Sequence, residues 1–192
     1  MPIHDPHTVY FCVDLEASGP VPGLFNLVSI GGVVVRLEGD RHVRGEHFYY
    51  ELKPICDGFV PEAEAIYKIT RAHLETHGTD AREALAHIAA FVKAHTPPGQ
   101  RPLFVGHNAP FDWMYTAWYF AWAGMENPFG YNALDTKALA MGIHRLPWKR
   151  TNKETLEALH GLTPPRPEDV HNALADAEYQ ADILIALLDH AG

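Results

Sequence analysis

The sequence predicts one α/β domain, a mixed five-stranded sheet with helices on both faces. Three observations predict it. Three strand-like segments fill the first 52 residues and are separated by turn chemistry. Helical and strand periodicities then alternate to the end. The chain has 192 residues, 47% of them hydrophobic, which suits one full core over residues 1–192 and leaves little for a second.

Thr8 to Leu15 (TVYFCVDL) reads as a buried strand, rich in β-branched and aromatic residues. Gly19-Pro20-Val21-Pro22-Gly23 is a loop by its breakers. Leu27 to Leu37 and His42 to Leu52 read as strands joined through Glu38-Gly39-Asp40, so the first three strands form an antiparallel meander. Pro54 to Pro61 is irregular, and short helices fit between Pro61 and His77. Asp80 is placed to cap a helix in which Leu85, Ile88 and Val92 recur at helical spacing, ending before Pro97.

Leu103 to Gly106 is a short strand, and Pro110 opens a helix where its missing N–H costs nothing. Phe111, Met114, Tyr115, Trp118 and Trp122 share one face of that helix, expected to be core or a subunit contact. Tyr131 to Leu134 is the fifth strand, with Asp135 capping the next helix. Thr151 to His160 is helical and stops at Gly161. Thr163 to Pro167 is a proline-rich link, and Asp169 or a neighbour caps a last helix running to about His190.

Composition narrows the function. The net charge of −9 argues against general coating of long nucleic acid, where phosphate neutralisation supplies most of the affinity. It leaves room for carboxylates that hold cations at a local site. No apolar run approaches the roughly 20 residues of a membrane span. The start, Met1-Pro2-Ile3-His4-Asp5-Pro6, has no basic region leading into an apolar one, so no signal peptide is expected. Cys12 and Cys56 make no disulfide framework, and a cytoplasmic location is the expectation. The 13 histidines include no HExxH pair.

Asp14 and Glu16 end the first strand. Residues two apart share a sheet face, so their carboxylates stand side by side while Val13 and Leu15 face the core. Two buried acids raise each other's pKa unless a cation lies between them, and a divalent metal removes that penalty. Read alone, the pair also fits an exposed strand end with solvated acids. Asp112 falls in the first turn of the helix after Gly106-His107-Asn108-Ala109-Pro110-Phe111, at the strand edge where open α/β sheets place ligands. It would equally complement the helix dipole. Asp176 lies five residues after His171. If His171 sits at or before the first turn, both face one cleft. Imidazole suits a general base that takes a proton from water, and a capping or surface histidine fits as well.

Taken together, Asp14-Leu15-Glu16, then Gly106 to Asp112, then His171-Asn172-Ala173-Leu174-Ala175-Asp176-Ala177 form an ordered three-motif pattern. It resembles the DEDDh exonucleases of the DnaQ-like group, which includes proofreading exonucleases, ribonuclease T and oligoribonuclease. The resemblance runs from about Tyr10 to Leu188. The branch with tyrosine in place of histidine would carry it where Asn172 stands.

The resemblance implies a ribonuclease H-like fold and 3′→5′ exonuclease activity releasing 5′-mononucleotides. It also implies two divalent ions, Mg²⁺ or Mn²⁺. Asp14, Glu16 and Asp176 would bind the first ion. Asp14 would bridge to the second, with Asp112 supporting it through water. His171 would deprotonate the attacking water. Substrate contacts would fall to Leu15, Ala17, Ser18, His107, Asn108 and Phe111. The implied partner is single-stranded or 3′-overhanging nucleic acid, and the relatives suggest a homodimer.

The chain departs from the family at Ala17-Ser18-Gly19, where many relatives have Thr-Thr-Gly or Thr-Asp-Gly. Ala17 lacks the hydroxyl of a stretch that helps hold the 3′-terminal nucleotide. Gly19 to Gly23 is expected to shape the mouth of the site. Arg145, Lys149, Arg150 and Lys153 form a run with no acid, which fits a phosphate-contacting patch with Trp148 stacking on a base, or a solvated loop. RNA is the favoured substrate, because a lone acidic domain lacks an obvious polymerase-tethering tail. A DNA proofreading or repair exonuclease is the alternative, and a catalytically silent binding domain is the alternative of another class.

Overall fold

The structure, a computed structural model, describes residues 2–166 and 169–190. Met1, which opens the amino-terminal stretch, and Pro167, which closes the proline-rich link, lie outside the described residues, as do Glu168, Ala191 and Gly192. Five strands form one sheet: β1 (Thr8–Ala17), β2 (Leu27–Glu38), β3 (Arg41–Glu51), β4 (Arg101–Gly106) and β5 (Ala133–Asp135). Their order is β3-β2-β1-β4-β5. The first three strands are antiparallel neighbours, and β1, β4 and β5 run parallel. This is the mixed sheet expected from a meander followed by βα units.

Strand β1 is central, and its side chains divide two cores by period two. Val9, Phe11, Val13 and Leu15 face one core, with Leu85, Ile88 and Val92 of α3 (Ala81–Ala94) and Tyr115, Tyr119 and Phe120 of α4 (Ala109–Ala123). Tyr10 and Cys12 face the other, with Ala177, Ala181, Leu184 and Leu188 of α7 (Ala173–Leu188). Asp14 and Glu16 continue that second face, so they emerge on the α7 side. Helices α5 (Thr136–His144) and α6 (Lys153–His160) pack on α7 through Ala140, Leu156, Ile183 and Leu187. The short α1 (Pro61–Tyr67) and α2 (Arg71–His77) cover Val28 through Tyr67 and Leu74. Asp80 caps α3 by accepting from the Arg82 and Glu83 amides, as expected.

Four details differ from the sequence reading. The fifth strand begins at Ala133, and Tyr131 is 96% exposed before it. Helix α6 starts at Lys153, because Thr151 is buried behind a short turn, its hydroxyl donating to the Trp148 carbonyl. Asn172, not Asp169, caps α7, its side-chain oxygen accepting from the Leu174 and Ala175 amides. On α4 the fully buried aromatics are Tyr115, Tyr119 and Phe120, while Trp122 is 37% exposed. The tyrosines tolerate burial because each hydroxyl has a backbone partner. Tyr115 donates to the Gly19 carbonyl and Tyr119 accepts from the Leu27 amide.

Candidate active site

The carboxylates meet at the carboxyl end of β1, where β4 gives way to α4 and α7 begins. Each arrives there for a local reason. Asp14 pairs with Gly31 across the β1–β2 ladder. A Cβ on Gly31 would lie 2.6 Å from the Ala173 backbone, so glycine lets the start of α7 rest on the sheet directly beside Asp14. His171 precedes the Asn172 cap with φ 65°, a left-handed conformation uncommon outside glycine. Its amide donates to Asp176 Oδ2 at 2.9 Å, closing the turn that puts both side chains over the same cleft.

The Gly106-His107-Asn108 turn works similarly. Asn108 is left-handed with φ 74° and ψ 45°, and its amide donates to Asp135 Oδ1 at 3.1 Å. The same oxygen caps α5 through the Lys137 amide at 2.9 Å, so Asp135 serves structure, as expected. His107 Nδ1 lies 2.8 Å from the Thr136 hydroxyl. Burial, then the nearby Lys153 and Lys137, push this imidazole down to about 4, so it is neutral at physiological pH. Asp112 is buried at the start of α4, and its Oδ1 accepts from the Leu15 amide at 3.3 Å.

All five expected residues, Asp14, Glu16, Asp112, His171 and Asp176, line one cleft of about 540 Å³. Leu15, His107, Asn108 and Phe111 line it too. Glu16, His171 and Asp176 offer ligand atoms within 4.8 Å of one another. Asp14 and Asp112 stand beside this trio. Burial, then Asp176, raises the Asp14 carboxyl, and burial, then Asp14 and Asp176, raises Glu16 to about 8. Burial, then Asp14, raises Asp112 well above the usual carboxylate range. Such a cluster fits a hard divalent cation, which takes oxygen ligands and removes the repulsion. Cys12 is buried in the core, and neither cysteine lines the cleft.

Two residues complete the cluster. Lys153, the first residue of α6, brings its Nζ within 2.5 Å of Asp176 Oδ1. The other three cations of the run, Arg145, Lys149 and Arg150, are exposed and do not line the cleft. Trp148 is already covered by Lys137, whose Nζ lies 4.4 Å from the ring centre. Gln180, one turn beyond Asp176, donates from Nε2 to Asp14 Oδ1 at 2.5 Å. The sequence offered one signal for it, its place four residues after Asp176 on the same helix face.

Ala17 and Ser18, expected to touch substrate, do not line the cleft. Ala17 follows Leu15 onto the α3 and α4 face of the sheet and packs in that core, and Ser18 is fully buried, donating to the Gly58 carbonyl and accepting from the Asn26 amide. The Gly19–Gly23 loop is also away from the cleft. Gly19 is held by Tyr115, and Gly23 lies against the Trp118 indole.

The model of the 3′-5′ exoribonuclease Rv2179c-like domain matches residues 9–188. The chain belongs to this family. It is a 3′-5′ exonuclease, a phosphodiester hydrolase. The 3′-5′ DNA exonuclease Cap18 of Escherichia coli is 32% identical over 181 residues, 94% of this chain and 91% of Cap18. The nuclease domain of 3′hExo, a DEDDh family member solved bound to rAMP, superimposes with a TM-score of 0.76. It shares 14% identity with the exonuclease, over 94% of this chain and 91% of that one. Escherichia coli exonuclease I, solved with a dA16 oligonucleotide, gives 0.71 at 18% identity, over 95% of this chain and 42% of that one. These two likenesses show the ribonuclease H-like fold. Among the described residues no helix is long and apolar enough to cross a membrane.

Proposed function

We propose that the exonuclease removes 5′-mononucleotides from single-stranded or 3′-overhanging ends with two divalent ions, Mg²⁺ or Mn²⁺, held by Asp14, Glu16, Asp112 and Asp176. The observation that carries this is the convergence of these four acids and His171 on one cleft of about 540 Å³, within the range of small-ligand sites. Asp14, Glu16 and Asp176 would hold the first ion, and Asp14 with Asp112 would hold the second. Two such ions supply charge stabilisation to the attacking and leaving oxygens. His171, half-exposed at the rim with Nδ1 4.0 Å from Glu16 Oε1, takes a proton from water. The water oxygen bonds to the terminal phosphorus, and the bond from phosphorus to the O3′ of the preceding nucleotide breaks. Gln180 fixes the rotamer of Asp14. His107, Asn108 and Phe111 border the terminal nucleotide.

RNA is the first reading of the substrate, supported by the description of the matched family as exoribonucleases. DNA is the second, supported by the DNA exonuclease Cap18 at 32% identity. The test uses 5′-labelled RNA and DNA oligomers of one sequence with Mg²⁺, Mn²⁺ or chelator. A ladder shortening from the 3′ end, faster on RNA and absent with chelator and in Asp176→Ala, is expected. Faster loss of DNA selects the second reading, and full activity in chelator rejects the metal mechanism. His171→Ala should keep Mg²⁺ binding by calorimetry while turnover falls about 10²–10⁴-fold. Unchanged turnover would remove His171 as the base.

A further inference from the structure

The polar ends of α6 and α7 that carry Lys153 and Asp176 face the cleft. Their opposite ends meet the end of α5 and bring together three histidines that the exonuclease reaction does not use. His144 is the last residue of α5, His160 the last of α6, and His190 lies two residues beyond α7. His144 Nε2 and His160 Nε2 are 2.9 Å apart, and these rings have centroids 4.9 Å apart. The His190 ring meets both edge-on, with centroids 4.8 Å and 5.6 Å away.

We propose that His144, His160 and His190 form a second metal site, nitrogen-ligated and selective for a borderline divalent cation of the zinc type. Two ring nitrogens facing each other hold a single proton between them, and a cation can replace it. Nitrogens bound to one tetrahedral ion at about 2.0–2.1 Å sit roughly 3.3 Å apart, within a few tenths of an ångström of the observed pair. Burial, then neighbouring histidines, lower the His144 and His160 pKa values, which favours the neutral, ligating form. Carbonyl-rich helix C-termini converge there, and their partial negative charge favours a cation. Asp189, the adjacent carboxylate, is turned away to the His42 ring at 2.5 Å, which leaves imidazoles as the donors. Imidazole sets take Zn²⁺, Ni²⁺, Co²⁺ or Cu²⁺, whereas Mg²⁺ and Mn²⁺ prefer the carboxylate cleft.

The three nitrogens as placed do not all lie within 4.8 Å of one another, so binding requires His190 to turn its ring inward. It lies past the last helical residue, free of the rotamer limits of a helix. A bound ion would then tie the chain beyond α7 to α5 and α6, about 20 Å along the helix from Asp176.

The test is calorimetric titration of Zn²⁺ into the chelator-stripped full chain held in excess Mg²⁺, with thermal unfolding alongside. One Zn²⁺ per chain is expected, with a Tm that climbs with Zn²⁺ concentration. His160→Gln and His190→Gln should each weaken binding by at least about 10–100-fold. Their Mg²⁺-supported nuclease activity should be unchanged, which also reports that they fold. Asp176→Asn should bind Zn²⁺ as the unaltered chain does. Absence of saturable Zn²⁺ binding beside Mg²⁺ overturns the proposal. So does binding that survives both histidine variants, or that disappears in Asp176→Asn.

Discussion

Lys153 shows how one side chain can change meaning between sequence and structure. In the sequence it closes a basic run; in the fold its ammonium rests on Asp176, and it lowers the carboxyl pKa values of Asp14 and Glu16 against the burial that raises them. It therefore occupies the electrostatic place of a cation within the acid cluster. An ion held by Asp176 as proposed displaces this contact, so Lys153→Met should tighten Mg²⁺ binding. The expected gain is about tenfold, the size of a partly screened charge pair near a surface. In chelator the same variant should unfold at a lower temperature, because the acids lose their counter-charge. Calorimetry and thermal unfolding read both effects. Weaker Mg²⁺ binding in Lys153→Met would mean that the lysine supports the ion site instead of competing with it.

At the scale of elements, the site depends on how closely α7 lies on the sheet. Gly31 is the cross-strand partner of Asp14, and the Ala173 and Leu174 backbone occupies the space where a side chain would be. Gly31→Ala must push the start of α7 away from β2, moving His171 and Asp176 relative to Asp14 and Glu16. Overpacking of this kind costs about 1–3 kcal/mol in stability. The cost to turnover should be larger, about 10²-fold, because catalysis responds to displacements of about 1 Å. Gly142→Ala on α5 is a control for glycine loss alone, since nothing lies within 4 Å of its Cβ position and its φ is not left-handed. Equal turnover in the two variants would show that the α7 approach does not set the site geometry. Gly106 has a related role at the other wall, where a Cβ would lie 2.9 Å from Ala109 Cα at the start of α4.

For the whole molecule, burying several acids at one point links folding to pH and metal. Glu16 ionises at about 8 in the folded metal-free chain against 4.5 normally, and Asp14 is raised as well. Between those pH values the folded chain binds more protons than the unfolded chain, so stability falls as pH rises. In chelator, Tm should therefore drop from pH 7 to pH 8.5, and Glu16→Gln should flatten the slope. Mg²⁺ should restore stability most at the higher pH, since it binds the ionised acids. A rising Tm in chelator over that window would contradict the raised acids.

Much of this was legible in the sequence because it depends on short-range periodicity. Alternation along Thr8 to Leu15 put Asp14 and Glu16 on one face, and helix spacing with Asp80, Asp135 and Pro110 located most helices. The three motifs named four acids and a histidine that all line the cleft. Other features depend on contacts between distant segments, which no local pattern carries. Ser18 is enclosed by Asn26 and Gly58, 8 and 40 residues further along the chain, so its burial could not be read from the strand itself. Lys153 could be told from Arg150 only by the packing of α6 on α7, and the meeting of His144, His160 and His190 only by where three helices end. The sequence by itself determined the chemical identity of the acids and histidine, since residue type and spacing carry that. Tertiary structure decided which cations and imidazoles stand near them, because those distances are set by the packing of whole elements.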